Sequence, residues 1–135
     1  MIEPEERKHL IELRIEQAEK SIFEAQFCLE QGLFALAANR IYYGMFYATL
    51  ALGLLRQFES SKHMQVIGWF NKNFVHTGVF PQEFSMYLKR AFETRTNSDY
   101  KLNQTPTATD LETLLADMKS FISTIKAWIE ANPAI

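Results

Sequence analysis

The stretch AFETRTNSDY, residues 91–100, brings an arginine and a tyrosine together with small polar residues and an aspartate. The planar guanidinium of Arg95 matches the geometry of phosphate oxygens. Tyr100 can donate a hydrogen bond, but with an ordinary pKa of about 10 it is a poor base at neutral pH. The same residue types also suit a helix end, because Arg stabilises the helix dipole and Asn and Asp favour turns. The stretch is therefore either a helix terminus or an anion-binding site.

Histidines are the other candidates for proton transfer. His63 lies in the first turn of a predicted helix, where it could be a local cap, a buried hydrogen-bonded residue or a proton carrier. His9 and His76 have no partner at metal-ligand spacing, and Cys28 is the single cysteine. We expect no metal site and no cofactor.

A long apolar segment, LFALAANRIYYGMFYATLALGLLRQF, follows the first predicted helix. Asn39 and Arg40 interrupt it and leave only residues 41–55 without a polar break, whereas a membrane span needs about 20 residues. We interpret it as a central bundle helix with one face on its own core and another on a partner subunit. Because this helix is expected to expose more apolar surface than one small bundle can cover, it predicts a homodimer with a two-fold interface.

The other helices follow from spacing and capping residues. Pro4 suits the first turn of a helix that ends at Gly32. Ser60 and Ser61 are predicted to cap the third helix, and Pro81 to open the fourth.

The end of the fourth helix and the start of the last are the least regular parts of the pattern. Regularity is expected to be lost at Asn97, and Thr109 with Glu112 has the spacing of a capping box. The whole pattern predicts an all-α, antiparallel bundle of four to five helices in one domain over residues 1–135.

Composition narrows the class of protein. A hydrophobic fraction of 47% with 22% charged residues is typical of a globular domain, and a net charge of -2 gives no overall basic surface for nucleic acid. The charged N-terminal segment does not resemble a signal peptide, and a single cysteine fits a reducing compartment. These features predict a cytoplasmic protein.

Three blocks carry a resemblance to a known family: AANRIYYGMFYATLALG, SKHMQVIGWFNKNFVHTGVFP and AFETRTNSDY. Their order resembles that of small prokaryotic HEPN-domain proteins over residues 8 to about 130. The resemblance implies a helical bundle, commonly a homodimer, that pairs with a minimal nucleotidyltransferase as toxin and antitoxin. Many members carry an Arg, four to six intervening residues and then a His, which form a metal-independent ribonuclease motif at the dimer interface.

This sequence departs from that motif. Tyr100, Lys101 and Leu102 occupy the places where the His would stand. Thr96 corresponds to the small polar residue that often follows the family's Arg, and Asn97 comes next.

The resemblance also places the apolar helix beside the one that carries Arg95. Asn39, Tyr43 and Tyr47, at steps of four residues, share one face of the apolar helix. Asn39 and Tyr43 could therefore line the same cleft as Arg95, although core and interface packing also explains the tyrosines.

Three functions remain open. The favoured one is a HEPN module that partners a minimal nucleotidyltransferase and binds nucleotide or RNA in a dimer cleft through Asn39, Tyr43, Arg95, Thr96 and Asn97. Because the His is missing, we expect this module to be non-catalytic or weakly active. The second is a metal-independent endoribonuclease in which Tyr100 or His63 acts with Arg95. The third is a purely structural dimerising bundle.

The shared site requires a particular geometry. In a regular helix, Arg95 and Tyr100 would be offset by about 140 degrees around the axis. We therefore expect unwinding at residues 96–99, with Arg95 open at a cleft wall and Tyr100 close to it. Asp99 is the natural competitor for the guanidinium.

Overall fold

The structure, a computed structural model, describes residues 2–100 and 105–133, with the backbone alone at Tyr100. Within these ranges the chain forms five α-helices and no strand. The helices are α1 (Pro4–Glu30), α2 (Phe34–Leu55), α3 (His63–Phe70), α4 (Glu83–Tyr100) and α5 (Ala108–Ala131), and a π-helical turn, Asn71–Val75, continues α3. The predicted all-α bundle is confirmed.

The α1–α2 hairpin begins and ends as predicted. Pro4 occupies the first turn of α1, and Gly32 adopts a φ of +75°, in the left-handed region that favours glycine. The backbone N–H of Leu33 donates to the carbonyl of Cys28 at 2.8 Å, which closes the helix end. A turn of only three residues then brings α2 back along α1.

Helix α2 is the centre of the bundle and packs against all four other helices. Along it, only Leu36 among the large apolar side chains is exposed, at 49%. The expectation that α2 leaves a broad apolar face uncovered was therefore wrong. Other helices of the same chain cover it, so the argument for a dimer cannot rest on α2 alone.

Helix α3 starts without the predicted serine cap. Lys62 stands at the N-cap position and makes no side-chain cap bond. The hydroxyl of Ser60 instead accepts from the backbone N–H of Lys62 at 3.1 Å, within the loop that precedes the helix. From the end of α3 onward, four phenylalanines are buried in the core, namely Phe70, Phe74, Phe80 and Phe84.

Helix α4 runs without interruption to Tyr100, so the predicted loss of regularity at Asn97 and the unwinding of residues 96–99 were wrong. Arg95 and Asp99 form an ion pair one turn apart on the helix. Together with the partial burial of residues 96–98, this pair compensates for the weak helix propensity of the stretch.

The capping box of α5 lies two residues earlier than predicted. The side chain of Thr107 accepts from the backbone N–H of Asp110 at 3.1 Å, and the Asp110 carboxylate accepts from the N–H of Thr107 at 3.4 Å. The buried Pro106 precedes an extended Thr107 (ψ 162°), so the helix begins directly afterwards. Its apolar face is buried through Leu111, Leu114, Leu115, Met118, Ile122 and Ile125.

Candidate functional site

Arg95 lies on α4 with its side chain only 18% exposed and its Nε buried, so it is less open than expected. It is already in contact with a carboxylate. Its Nε is 2.8 Å from Oδ2 of Asp99, yet the N–H bond does not point at that oxygen, so the contact is an ion pair without a hydrogen bond. Asp99 is the competitor that the sequence predicted. It approaches the guanidinium at Nε, and neither terminal nitrogen donates a hydrogen bond to it, so the pair is not a bidentate clamp.

The guanidinium of Arg95 lies against two tyrosines of α2. Its Cζ is 5.2 Å from the ring centroid of Tyr43 and 5.9 Å from that of Tyr42. Arg40 approaches the same Tyr43 ring, with its Cζ 5.7 Å from the centroid. All three distances are within the range of cation–π attraction, about 6 Å. Two positive charges therefore share one aromatic ring.

Arg40, like Arg95, also has polar partners besides the tyrosine ring. Arg40 donates from Nη2 to Oδ1 of Asn39 at 2.8 Å and forms an ion pair with Glu24 at 3.4 Å. Asn39 thus holds Arg40 and does not reach Arg95 directly. The structure brings Asn39, Tyr43 and Arg95 into one connected cluster through Arg40.

His63, the first residue of α3, belongs to the same cluster. Its Nδ1 is 2.8 Å from the hydroxyl of Tyr42, and the tautomer of the histidine decides which of the two donates. The imidazole stacks on Phe46 with ring centroids 4.1 Å apart. Because the ring of Tyr42 is fully buried, this hydrogen bond satisfies its hydroxyl inside the protein.

The protonation states follow from burial and from Arg95. Burial lowers the pKa of His63 below its ordinary value of 6.5, and the positive charge of Arg95 lowers it further. Burial is the main cause that raises the pKa of Tyr42 above 10, Tyr43 raises it further, and Arg95 opposes them. At neutral pH the pair is therefore a neutral imidazole and a protonated phenol. If Tyr42 donates to Nδ1, the imidazole proton lies on Nε2.

The α4 residues that were predicted to share a site with Arg95 are Thr96, Asn97 and Tyr100, and their positions give that site little support. Thr96 and Asn97 are partly buried, and the hydroxyl of Thr96 has no hydrogen-bond partner among the residues that the structure describes. Because α4 is regular, the position of Tyr100 is offset from Arg95 by about 140 degrees around the axis. The side chain of Tyr100 lies outside the described part of the chain. The helix backbone gives no support to a shared Arg95–Tyr100 site.

Sequence reasoning missed Tyr42. It followed the face that carries Asn39, Tyr43 and Tyr47, whereas Tyr42 points to the core beside Phe46. A buried tyrosine needs a partner for its hydroxyl. Because His63 was already a candidate for a buried hydrogen bond, that requirement could have identified Tyr42 as its partner.

In residues 2–100 and 105–133, no group of three or more His, Cys, Asp or Glu side chains is arranged to hold a metal ion. Within those same ranges, no helix is long and apolar enough to cross a membrane.

The fold and the site together define an all-α bundle with two arginines and a histidine around buried and half-buried tyrosines. The chain belongs to the HEPN domain family, whose pattern matches residues 11–128. It is 36% identical over 95 residues to a "UPF0332 protein" of Thermotoga maritima, a match that covers 70% of this chain and 72% of the relative.

Two relatives come from Methanocaldococcus jannaschii. The chain is 30% identical over 122 residues to "Putative toxin MJ0142", across 90% of this chain and 83% of the relative. It is 28% identical over 116 residues to "Putative toxin MJ0605", across 86% of each chain.

Proposed function

We propose that this chain is the HEPN module of a toxin–antitoxin-like pair, that a minimal nucleotidyltransferase is its partner, and that the Arg95 cluster binds a phosphate group of a nucleotide or RNA. The names of the two Methanocaldococcus relatives support the first part. The contact of Arg95 and Arg40 with one tyrosine ring carries the last part. Two guanidiniums over one ring offer positive charge and N–H donors to an anion between or beside them.

The same geometry supports binding better than cleavage. Attack by a ribose 2′-hydroxyl needs a proton acceptor and a proton donor near a cation. The cluster contains one histidine, and Tyr42 already engages its Nδ1. Tyr42 itself stays protonated because its pKa is raised. One chain therefore supplies two cations and one proton carrier, which is enough for anion recognition.

Asp99 provides the sharpest test of phosphate binding. Replacing it with Asn removes the carboxylate beside Nε of Arg95 and should raise the affinity for AMP by up to about fivefold. Arg95→Ala should abolish binding. Isothermal titration calorimetry measures both, with Lys89→Ala as the control because Lys89 is an exposed cation on the same helix.

Unchanged AMP affinity in both Arg95→Ala and Asp99→Asn would contradict the proposed phosphate site. Equal weakening by Lys89→Ala would contradict it too, because it would show that only general positive charge matters.

Metal-independent RNA cleavage is a second candidate, favoured by the position of His63 beside Tyr42 and under the influence of Arg95. It predicts cleavage of RNA by the purified protein in the presence of EDTA, with loss of cleavage in both His63→Gln and Arg95→Ala. Tyr100→Phe distinguishes the other proposed proton donor. An intact RNA substrate after incubation with the wild-type protein would exclude this function.

The proposed homodimer rests on a different surface from the one the sequence indicated. An exposed apolar face, here called the hairpin face, consists of Phe23 (72% exposed), Phe27 (52%), Leu33 (48%) and Leu36 (49%). Glu24 and Arg40 border it. In a two-fold contact the surface meets its own copy, so Glu24 and Arg40 of opposite protomers can pair. Because Arg40 also contacts Tyr43, such a dimer would place the Arg95 cluster close to the interface.

The proposed nucleotidyltransferase partner is testable by its gene. A short nucleotidyltransferase reading frame next to the gene for this chain, and co-purification of the two products, are the expected results. A chain that purifies alone after co-expression with that neighbour would contradict the partnership and would favour a structural bundle.

A further inference from the structure

The face of α2 that carries Tyr43 continues past the Arg95 cluster. Tyr47 lies one turn further along, with its ring centroid 6.1 Å from that of Tyr43. Arg14 of α1 reaches over this second ring, with its Cζ 6.0 Å from the centroid. Arginines thus lie over two successive tyrosines of one helix face.

A cavity of about 330 Å³ opens next to Arg14. The apolar side chains of Leu50, Leu54 and Phe58 form part of its lining. Its remaining lining residues are Glu59, Ser60 and Ser61. Leu50 follows Tyr47 by three residues on α2, so the cavity continues the tyrosine face. Its size lies at the lower end of the range for small-ligand pockets, about 300 to 1,000 Å³.

Arg14 keeps free hydrogen-bonding capacity at this place. Its Nη1 donates to Oε1 of Gln17 at 3.0 Å, a neutral partner on the same helix. Glu59 is the one carboxylate that lines the cavity in the described part of the chain, and it forms no ion pair with Arg14 there. The planar guanidinium can therefore still contact a phosphate or stack on a base.

We propose that Arg14, Tyr47 and the adjacent cavity form a second nucleotide-binding position, so that the ligand of this chain is single-stranded RNA and not a mononucleotide. This rests on the proposed phosphate site at Arg95, which would hold one nucleotide while Arg14 holds the next. Alternating arginines and aromatic rings are the usual means by which proteins bind single strands. A duplex would keep its bases stacked inside and could not place one in the cavity.

The test compares a short 2′-O-methyl oligoadenylate, which cannot be cleaved at its 2′-positions, with AMP. Arg14→Ala should weaken oligoadenylate binding about tenfold and leave AMP binding unchanged. It should also reduce the slope of log affinity against log salt by about 0.7, the value for one phosphate contact on a single strand. Fluorescence anisotropy measures the oligonucleotide, and calorimetry measures AMP.

Lys20→Ala is the matched control, because Lys20 is an exposed cation of α1 on another side of the helix. Arg14→Lys keeps the charge and removes the planar fork, so it should recover only part of the affinity. Circular dichroism melting of each variant establishes that the bundle is intact.

The outcomes separate the two proposals. If Arg14→Ala behaves like Lys20→Ala while Arg95→Ala abolishes AMP binding, the second position is overturned and the phosphate site stands. If Arg14→Ala weakens AMP as much as oligoadenylate, or if the wild type binds both ligands equally, the second position is also overturned. If the wild type binds neither ligand, both proposals fail.

Discussion

At the scale of single residues, the contact between Tyr42 and His63 links the hydrophobic core to the polar cluster. The phenol ring is fully buried, and its hydroxyl meets a histidine that is partly exposed. Arg95 lies against the same ring. A proton on His63 would therefore add a second positive charge beside Arg95 in a partly desolvated place, which is the reason its pKa is lowered.

This lowered pKa predicts a pH dependence of stability. The folded pKa lies below the unfolded value of about 6.5, so between the two the unfolded chain binds more protons and stability falls as the pH falls. Gln at position 63 can still bond to Tyr42 but cannot titrate. The free energy of unfolding of wild type minus that of His63→Gln should be largest above about pH 7 and should shrink towards about pH 5.

Urea unfolding of both proteins across this pH range measures the difference. His9, His76 and Asp117 are present in both proteins, so their titration cancels. A difference that stays constant with pH would show that His63 keeps its ordinary pKa in the folded chain.

Residue types and helical spacing identified much of the cluster. The guanidinium of Arg95 suits phosphate, and a step of four residues places Asn39 and Tyr43 on one helix face. Tyr42 could not be found that way, because its role depends on which side chain reaches its hydroxyl across the bundle. That contact joins residues 21 positions apart and is set by tertiary packing, which periodicity does not report.

At the scale of the elements, the start of α5 offers a direct test of where the helix is capped. Thr107→Ala removes the acceptor for the backbone N–H of Asp110 and should lower the free energy of unfolding by about 1 kcal/mol. Thr109→Ala, in the predicted box, should change it by no more than a few tenths of a kcal/mol, because Thr109 is already inside the helix. Thermal melting distinguishes them, and a larger loss for Thr109→Ala would move the cap to the predicted position.

The packing of α2 leads to a second prediction at this scale. A Cβ on Gly44 would collide with the end of the Met118 side chain and press on the Cβ of Ser21 on α1. Met118 can move aside, but Ser21 belongs to the facing helix, so Gly44→Ala should destabilise by about 1 to 3 kcal/mol.

Gly68 is the matched control for Gly44. It lies in α3 with nothing within 4 Å of an added Cβ, so Gly68→Ala should stabilise the chain by up to about 1 kcal/mol. Urea midpoints of the two variants measure the opposite signs. Equal effects would mean that α1 and α2 are not in close contact at Gly44.

The elements were easier to predict than their ends. Apolar residues recur at helical spacing in α1 and α5, and this spacing predicts which face of each helix is buried. The end of α4 was mispredicted because Asn97, Ser98 and Asp99 favour turns locally. Partial burial and the Arg95–Asp99 pair outweigh that local preference, and neither is visible in the order of residue types.

At the scale of the whole molecule, the exposed apolar side chains indicate which surface another copy of the chain would cover. The sequence pointed to α2, but within one chain α2 is covered by its neighbours. The hairpin face is instead formed by the end of α1, the turn and the first residues of α2. Exposed Phe side chains grouped with Leu are typical of surfaces that another protein covers.

The hairpin face predicts a homodimer that surface substitutions can dissociate. Light scattering of the wild type at micromolar concentration should give twice the chain mass of 15.7 kDa. Phe23 and Phe27 are 72% and 52% exposed, so replacing both with Ser removes contact area between copies and little from the core of each chain. The double variant should therefore be monomeric with unchanged helix content by circular dichroism.

Met86→Ser, at a 50% exposed position on α4, is the control and should remain dimeric. A monomeric wild type would contradict the dimer itself, whereas a double variant that stays dimeric would show that the two-fold contact uses another surface.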